Sequence, residues 1–147
     1  MWDDVPVFGS KVDGCPYIDR PSAYAVVFRS TGELAIVDTA LGFFLPGGGI
    51  DENETPEQAV EREAVEECGF RLNVGKLLGR ATEIVYSARE NACFEKRSSF
   101  FAAELLGVSP PIEPGNEVRW VGLERAAESL AHESHRWVIQ QLRNGAT

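Results

Sequence analysis

The chain has 147 residues, 44% hydrophobic and 25% charged, and acids outnumber bases 23 to 14 for a formal charge of −9. That length suits one globular domain over residues 1–147 with no need of a disulfide scaffold, and the balance excludes a disordered, collagen-like or coiled-coil chain. The negative charge opposes long-range attraction to duplex nucleic acid or anionic lipid, so an anionic substrate must be drawn in by local cations or a bound metal.

Cys15, Cys68 and Cys93 are widely spaced, odd in number and without a CxxC pair. A disulfide framework and a zinc ribbon are both disfavoured, and reduced thiols in a cytoplasmic protein are expected. The acidic start Met1-Trp2-Asp3-Asp4 lacks the basic and apolar regions of a secretory signal. The longest apolar run, Ala23 to Phe28, falls far short of a membrane span.

In chain order, residues 1–21 carry Pro6, Gly9, Gly14, Pro16 and Pro21 and read as an irregular or edge-strand entry. Ser22–Phe28 and Glu33–Asp38 read as strands joined by a Ser30-Thr31-Gly32 turn, hence a hairpin. The short apolar piece Phe43-Phe44-Leu45 stops at Pro46-Gly47-Gly48-Gly49. Thr55–Cys68 is the strongest helix prediction: Thr55 suits the N-cap, Pro56 the first helical position, Gln58 completes a capping box, and Gly69 fits the left-handed terminus. Leu72–Tyr86 and Phe94–Leu106 read as strands connected near Arg89-Glu90-Asn91. Ser109–Gly115 is a proline-rich loop, and Glu117–Leu123 is a further strand. Glu124–Leu130 and Ser134–Arg143 read as helices, the last with Trp137 and Leu142 on related faces. Mixed strands and helices favour a sheet covered by helices.

The central helix carries the chemical signal. Eight acids lie between Asp51 and Glu67, with Arg62 the only base among them. Glu63, Glu66 and Glu67 fall at i, i+3 and i+4 and share one side, while Val60, Ala64 and Cys68 form an adjoining apolar stripe. A solvated surface helix usually alternates Glu with Lys; here Glu63 meets Glu67, and the acids crowd the end of the helix where its dipole disfavours them. A hard divalent cation relieves both penalties, because Mg²⁺ takes carboxylate and phosphate oxygens together. The preceding glycine triplet permits close approach of main chain to a phosphate or metal. It is neither a P-loop nor a GxGxxG fingerprint. Asp51 and Asn53 start an EF-hand pattern that fails at Thr55, Pro56 and Arg62.

Gly48, five residues, Glu54, seven residues, then Arg62-Glu63-Ala64-Val65-Glu66-Glu67-Cys68-Gly69-Phe70 resembles the Nudix box, Gx5Ex7REUxEExGU, where U is a bulky apolar residue. Every fixed Gly, Glu and Arg is present across the 23 residues, and Ala64 is the one departure. Phe44-Leu45-Pro46-Gly47-Gly48 and Glu117-Val118-Arg119-Trp120-Val121 extend the resemblance, which is nearest to MutT-like members. It implies an α/β/α sandwich around a central mixed sheet. It also implies a metal-dependent pyrophosphohydrolase that cleaves a nucleoside diphosphate linked to another group, with nucleoside triphosphates favoured.

Carried over by position, Glu63, Glu66, Glu67 and the Gly48 carbonyl would ligate Mg²⁺, with Mn²⁺ as a substitute. Glu54 and Arg62 would clip loop to helix, and Arg62 would restrain the neighbouring carboxylates. Glu66 or Glu67 could serve as general base, as could a later loop acid: Glu117 first, Glu113 second. Lys96 and Arg97 are candidates for substrate phosphate, set against ordinary surface charge. Arg20, Tyr24 and Phe44 could shape a base pocket, although core packing suits the two aromatics equally. His132 and His135 lack further spaced zinc ligands, and His135 with Ser134 is expected to cap or orient the last helix. A non-catalytic Nudix-like nucleotide-binding module is the alternative, and a homodimer is a reasonable expectation for such a chain.

Overall fold

The computed structural model describes residues 2–113 and 115–145; Pro114 of the expected loop, Met1 and residues 146–147 lie outside them. The elements run β1 (Val7–Phe8), β2 (Tyr17–Val27), β3 (Leu34–Thr39), β4 (Gly42–Phe44), β5 (Gly47–Gly49) and α1 (Pro56–Cys68). They continue with β6 (Phe70–Ser87), β7 (Ala92–Val108), β8 (Glu117–Val121), α2 (Leu123–Ser129) and α3 (Glu133–Arg143). A mixed five-stranded sheet has the order β1-β6-β7-β2-β5, beside a three-stranded sheet β4-β3-β8.

Alternation along the strands divides the interior in two. Ala23, Ala25 and Val27 face one side with Ala35, Val37 and the α1 stripe Ala59, Val60, Ala64 and Cys68. Tyr24 and Val26 face the other with Leu34, Ile36, Phe100 and the α2–α3 residues Ala126, Leu130, Val138 and Ile139. Helices therefore cover both faces, which is the expected α/β/α arrangement. The small Ala64 of the box is fully buried under α1, where the helix lies close to the sheet.

Three expectations change. The strand expected from Ser22 begins at Tyr17, because residues 17–27 pair in parallel with 93–103. Pro21 sits where the β5 pairing ends at Ser22, and its carbonyl accepts the Ile50 N–H at 3.0 Å. The expected hairpin closes only beside its turn, through the Phe28–Leu34 bridge and the Arg29 N–H to Glu33 carbonyl bond, and then β2 and β3 part into different sheets as β4 and β8 take both edges of β3. The third change concerns the thiols: Cys15 and Cys93 form a disulfide, and only Cys68 is free, buried under α1. The bond ties the N-terminal segment to the start of β7. A disulfide persists under oxidising conditions, so the reduced-thiol reading of those two residues is overturned. Among the described residues, no helix is long and apolar enough to cross a membrane.

Candidate active site

The site forms where the β5 strip meets the acidic side of α1. The helix starts as its sequence dictates: Gln58 N–H donates to Thr55 Oγ1 at 3.1 Å, and Thr55 N–H donates to Gln58 Oε1 at 2.9 Å. It ends at Gly69, whose φ of 69° is left-handed. A side chain there would run into the backbone of Ser109 and Pro110. The next loop lies against that end, and Glu113 N–H donates to the Glu66 carbonyl at 2.9 Å.

Arg62 organises the acids. Its guanidinium grips Glu54 in two contacts, Nε to Oε2 at 2.8 Å and Nη2 to Oε1 at 3.0 Å. Nη2 also donates to the Gly49 carbonyl at 3.0 Å, and Nη1 reaches Glu63 Oε1 at 2.7 Å and Glu66 Oε1 at 3.1 Å. One side chain thus joins the loop, the β5 strip and two box glutamates. Hydrogen bonding to Arg62 holds the Glu54 carboxyl down at about 2.

Glu67 is the most perturbed acid of the site. Its Oε1 accepts the Gly47 N–H at 3.0 Å, yet burial, reinforced by repulsion from Glu63, Glu113 and Glu66, pushes its pKa up to about 8. Burial also raises Glu63, against the opposing pull of Arg62. Gly47 is required sterically, and Gly48 leaves room for a carboxylate. Gly47 sits at φ 146°, and a Cβ would lie 2.6 Å from Tyr24 Cα. At Gly48 a Cβ would lie 2.9 Å from Glu63 Cδ, so the carboxylate occupies the space a side chain would fill.

The donor set fits a hard divalent cation. It offers oxygen donors only, and two of its carboxylates are held at an energetic cost that a cation would relieve. Among the described residues, no three acid, His or Cys groups already converge as a metal cluster. Arg62 Nη1 sits between Glu63 and Glu66 instead.

The structure sorts the remaining candidates. Glu113 is close enough to raise both Glu63 and Glu67, whereas Glu117 pairs with Arg119 Nη2 at 3.0 Å on the edge strand β8. Glu113 thus bears on the box glutamates, held there by its backbone bond to Glu66. Lys96 and Arg97 are separated by strand alternation. Lys96 Nζ donates to the Tyr24 hydroxyl at 2.8 Å on the α3 side, while Arg97 Nε pairs with Asp19 at 3.1 Å on the opposite face. Tyr24 itself is core, 4% exposed, as are most of its neighbours.

A cavity of 460 Å³ opens beyond Phe44, lined also by Arg20, Phe94, Lys96 and His132. Phe44 is three residues from Gly47, so the cavity begins within ~11 Å of the Glu67 contact.

Of the two roles expected of His135, capping or orienting the last helix, the structure removes the capping. Glu83 caps α3, accepting the N–H groups of Glu133 and Ser134 at 3.2 and 2.9 Å, and its Oε2 lies 3.6 Å from His132 Nδ1. Burial opposes ionisation of Glu83, but His132 and Ser134 outweigh it and hold the carboxyl at about 2. His135 does not cap the helix. It is 1% exposed, and its Nδ1 accepts the Leu45 N–H at 3.3 Å, which pins the strip leading to Gly47. Burial lowers its pKa well below the usual value, so the ring is neutral. Neither partnership had a sequence signal, since Glu83 and Leu45 lie far from the helix they serve. Trp137 and Leu142 pack half-buried against the α3-side core.

Residues 19–142 match the model of the NUDIX domain, which covers the box, the cavity and all three helices. The chain belongs to the NUDIX family. It is 28% identical over 137 residues to a CMP-5'-(N-acetyl-N-hydroxy-3-aminopropyl)phosphonate hydrolase of Streptomyces rubellomurinus, covering 86% of this chain and 64% of the relative. It is 37% identical over 68 residues to an RNA pyrophosphohydrolase of Hydrogenovibrio crunogenus, covering 44% and 40%. The chain thus spans less than two thirds of the length of these curated relatives. Among solved structures, a NUDIX hydrolase from Nitrosomonas europaea superposes with a TM-score of 0.70 at 17% identity, over 88% of this chain and 91% of that one. That likeness extends the family's fold through nearly the whole chain.

Proposed function

We propose that this NUDIX protein is a divalent-metal-dependent pyrophosphohydrolase that cleaves the diphosphate linkage of a nucleoside diphosphate joined to another group, nucleoside triphosphates included. The observation that carries the proposal is the set Glu63, Glu66 and Glu67 on one side of α1, with Glu67 and Glu63 against Gly47 and Gly48 and Glu66 held by Arg62, itself clipped to Glu54. The names of the relatives support the same chemistry, since a CMP-phosphonate hydrolase and an RNA pyrophosphohydrolase both act on phosphorus-linked nucleotides.

Glu63, Glu66, Glu67 and the Gly48 carbonyl would hold Mg²⁺ or Mn²⁺. When bound, the metal neutralises phosphate charge and acidifies water. The chain's own residues supply the rest. Arg62 restrains Glu63 and Glu66 and moors the loop at Gly49. Gly47 and Gly48 allow the main chain to lie against the glutamates with no side chain between. Glu67 or Glu113 would take a proton from attacking water; Glu113 lies on the loop bonded to Glu66. The cavity past Phe44, with Arg20 and Lys96 on its wall, would take the group beyond the anhydride.

The test is release of phosphate or pyrophosphate from nucleoside triphosphates, sugar nucleotides and dinucleoside polyphosphates with Mg²⁺. Hydrolysis of at least one class is expected, and Glu67→Gln should lower kcat by orders of magnitude while the protein stays folded. Inactivity across the whole panel, combined with a long-lived nucleotide complex, would replace this reading with that of a binding module. An unchanged rate in Glu67→Gln would remove Glu67 from the site.

A further inference from the structure

We infer that the cavity beside Phe44 selects substrates bearing an additional anionic group, with Lys96 and Arg20 as the residues that read it. The inference rests on the proposed hydrolase site and adds the substrate class.

The cavity is a cationic enclave in an acidic protein. Arg20, Arg89 and Lys96 line it against one carboxylate, Glu90, while the chain as a whole carries −9. That one carboxylate is already engaged, since Arg20 Nη1 lies 3.4 Å from Glu90 Oε2. The same guanidinium sits 3.9 Å from the centre of the Phe94 ring, a cation–π contact that holds it on the cavity wall.

Lys96 is the sharper observation. In the β6–β7 ladder the residue directly opposite it is Glu83, the natural counter-ion for a cross-strand pair. Glu83 is committed elsewhere, accepting the N–H groups of Glu133 and Ser134 and facing His132. Lys96 Nζ is left with a neutral partner, the Tyr24 hydroxyl at 2.8 Å, and among the described residues it has no carboxylate within salt-bridge distance. Tyr24 is core, so the ammonium is held in place rather than free to swing. A half-buried cation without a counter-charge, facing a cavity, is completed by an anion from outside. Phe44, Phe94 and Tyr86 supply apolar walls that strengthen such a contact by excluding water.

A neutral sugar or an unmodified base leaves Lys96 unmatched. A carboxylate or a phosphate monoester on the substrate satisfies it, with Arg20 beside it. The diphosphate itself is assigned to the glutamate side, so the extra charge belongs to the group at either end of the linkage.

Two matched pairs test this and locate the charge: UDP-glucose with UDP-glucuronate (a carboxylate on the non-nucleoside side) and NADH with NADPH (a phosphate on the nucleoside side). Affinity is measured by calorimetry in EDTA, where hydrolysis is suppressed, and kcat/KM with Mg²⁺. The anionic member should win by about tenfold or more in at least one pair, as expected for one charge-assisted hydrogen bond. Lys96→Gln should bring that ratio close to one, Arg20→Gln should reduce it, and Lys96→Arg should keep it, with thermal melts confirming that each variant folds. Equal affinity within each pair, a ratio preserved in Lys96→Gln, or no binding of any of the four compounds overturns the inference. A charge preference in EDTA without hydrolysis in Mg²⁺ overturns the hydrolase reading alone. Hydrolysis without a charge preference overturns the selectivity alone.

Discussion

Glu67→Gln separates the chemistry of the site from its cost to the fold. The Glu67 carboxyl is half-buried, and its pKa rises from 4.5 to about 8 because burial and the neighbouring acids disfavour its charge. An acid raised in the folded state leaves stability intact below pH ~4.5, where both states are protonated. Stability then falls as pH rises through the window from 4.5 to about 8, where the unfolded chain ionises first. One pKa unit corresponds to ~1.4 kcal/mol, so the penalty grows to about 3 kcal/mol at pH 7 and about 5 kcal/mol above pH 8. Glutamine keeps an oxygen to accept the Gly47 N–H and carries no charge.

The metal-free variant should therefore melt higher than wild type by about 10 °C at pH 8 and by almost nothing at pH 4, at ~2–4 °C per kcal/mol for a domain of this size. His135 acts in the opposite sense: its depressed pKa removes stability as pH falls below ~6.5. The difference between variant and wild type cancels that term. Thermal melts in EDTA from pH 4 to 9 give the first comparison. Excess Mg²⁺ gives the second, and it should stabilise wild type more than the variant. Parallel melting curves for the two proteins at every pH would refute the argument, since they would show that this carboxylate is ionised in the fold without penalty.

Gly48→Ala should cost activity on the order of 10²-fold with little change in the far-UV spectrum, because a Cβ forces the Glu63 carboxylate aside; steady-state kinetics with matched metal titrations check it. Reduction of the Cys15–Cys93 bond, which spans 78 residues, should lower stability by about 4 kcal/mol on the chain-entropy account. A denaturant titration with and without dithiothreitol measures this, and Cys15→Ala should reproduce the loss. His135→Leu should cost roughly 1–3 kcal/mol by leaving the buried Leu45 N–H without an acceptor. Its Asn counterpart, able to accept, should recover part of that loss in the same melts.

The box and its helix were legible in advance because they are local. Thr55, Pro56, Gln58 and Gly69 set the ends of α1 through contacts within a few residues, and the i, i+3, i+4 spacing alone puts Glu63, Glu66 and Glu67 on one side. The Arg62–Glu54 clip is also short-range, eight residues apart. Strand existence was readable from apolar content, but pairing was not. Nothing in Ser22–Asp38 announces that β3 leaves β2 for β4 and β8.

What the chain order determined by itself was the helix, its caps and the chemistry of its acidic side, because each depends on neighbours in sequence. Tertiary structure decided which far residues meet that side. The backbone bond from Glu113 to Glu66 brings a loop acid to the helix end, strand alternation parts Lys96 from Arg97, and β7 brings Cys93 to Cys15. It also turned Glu83 toward α3 and left Lys96 facing a cavity with no carboxylate partner among the described residues. Contacts of that kind are fixed by the register and stacking of whole strands and helices, and no short window of sequence contains them.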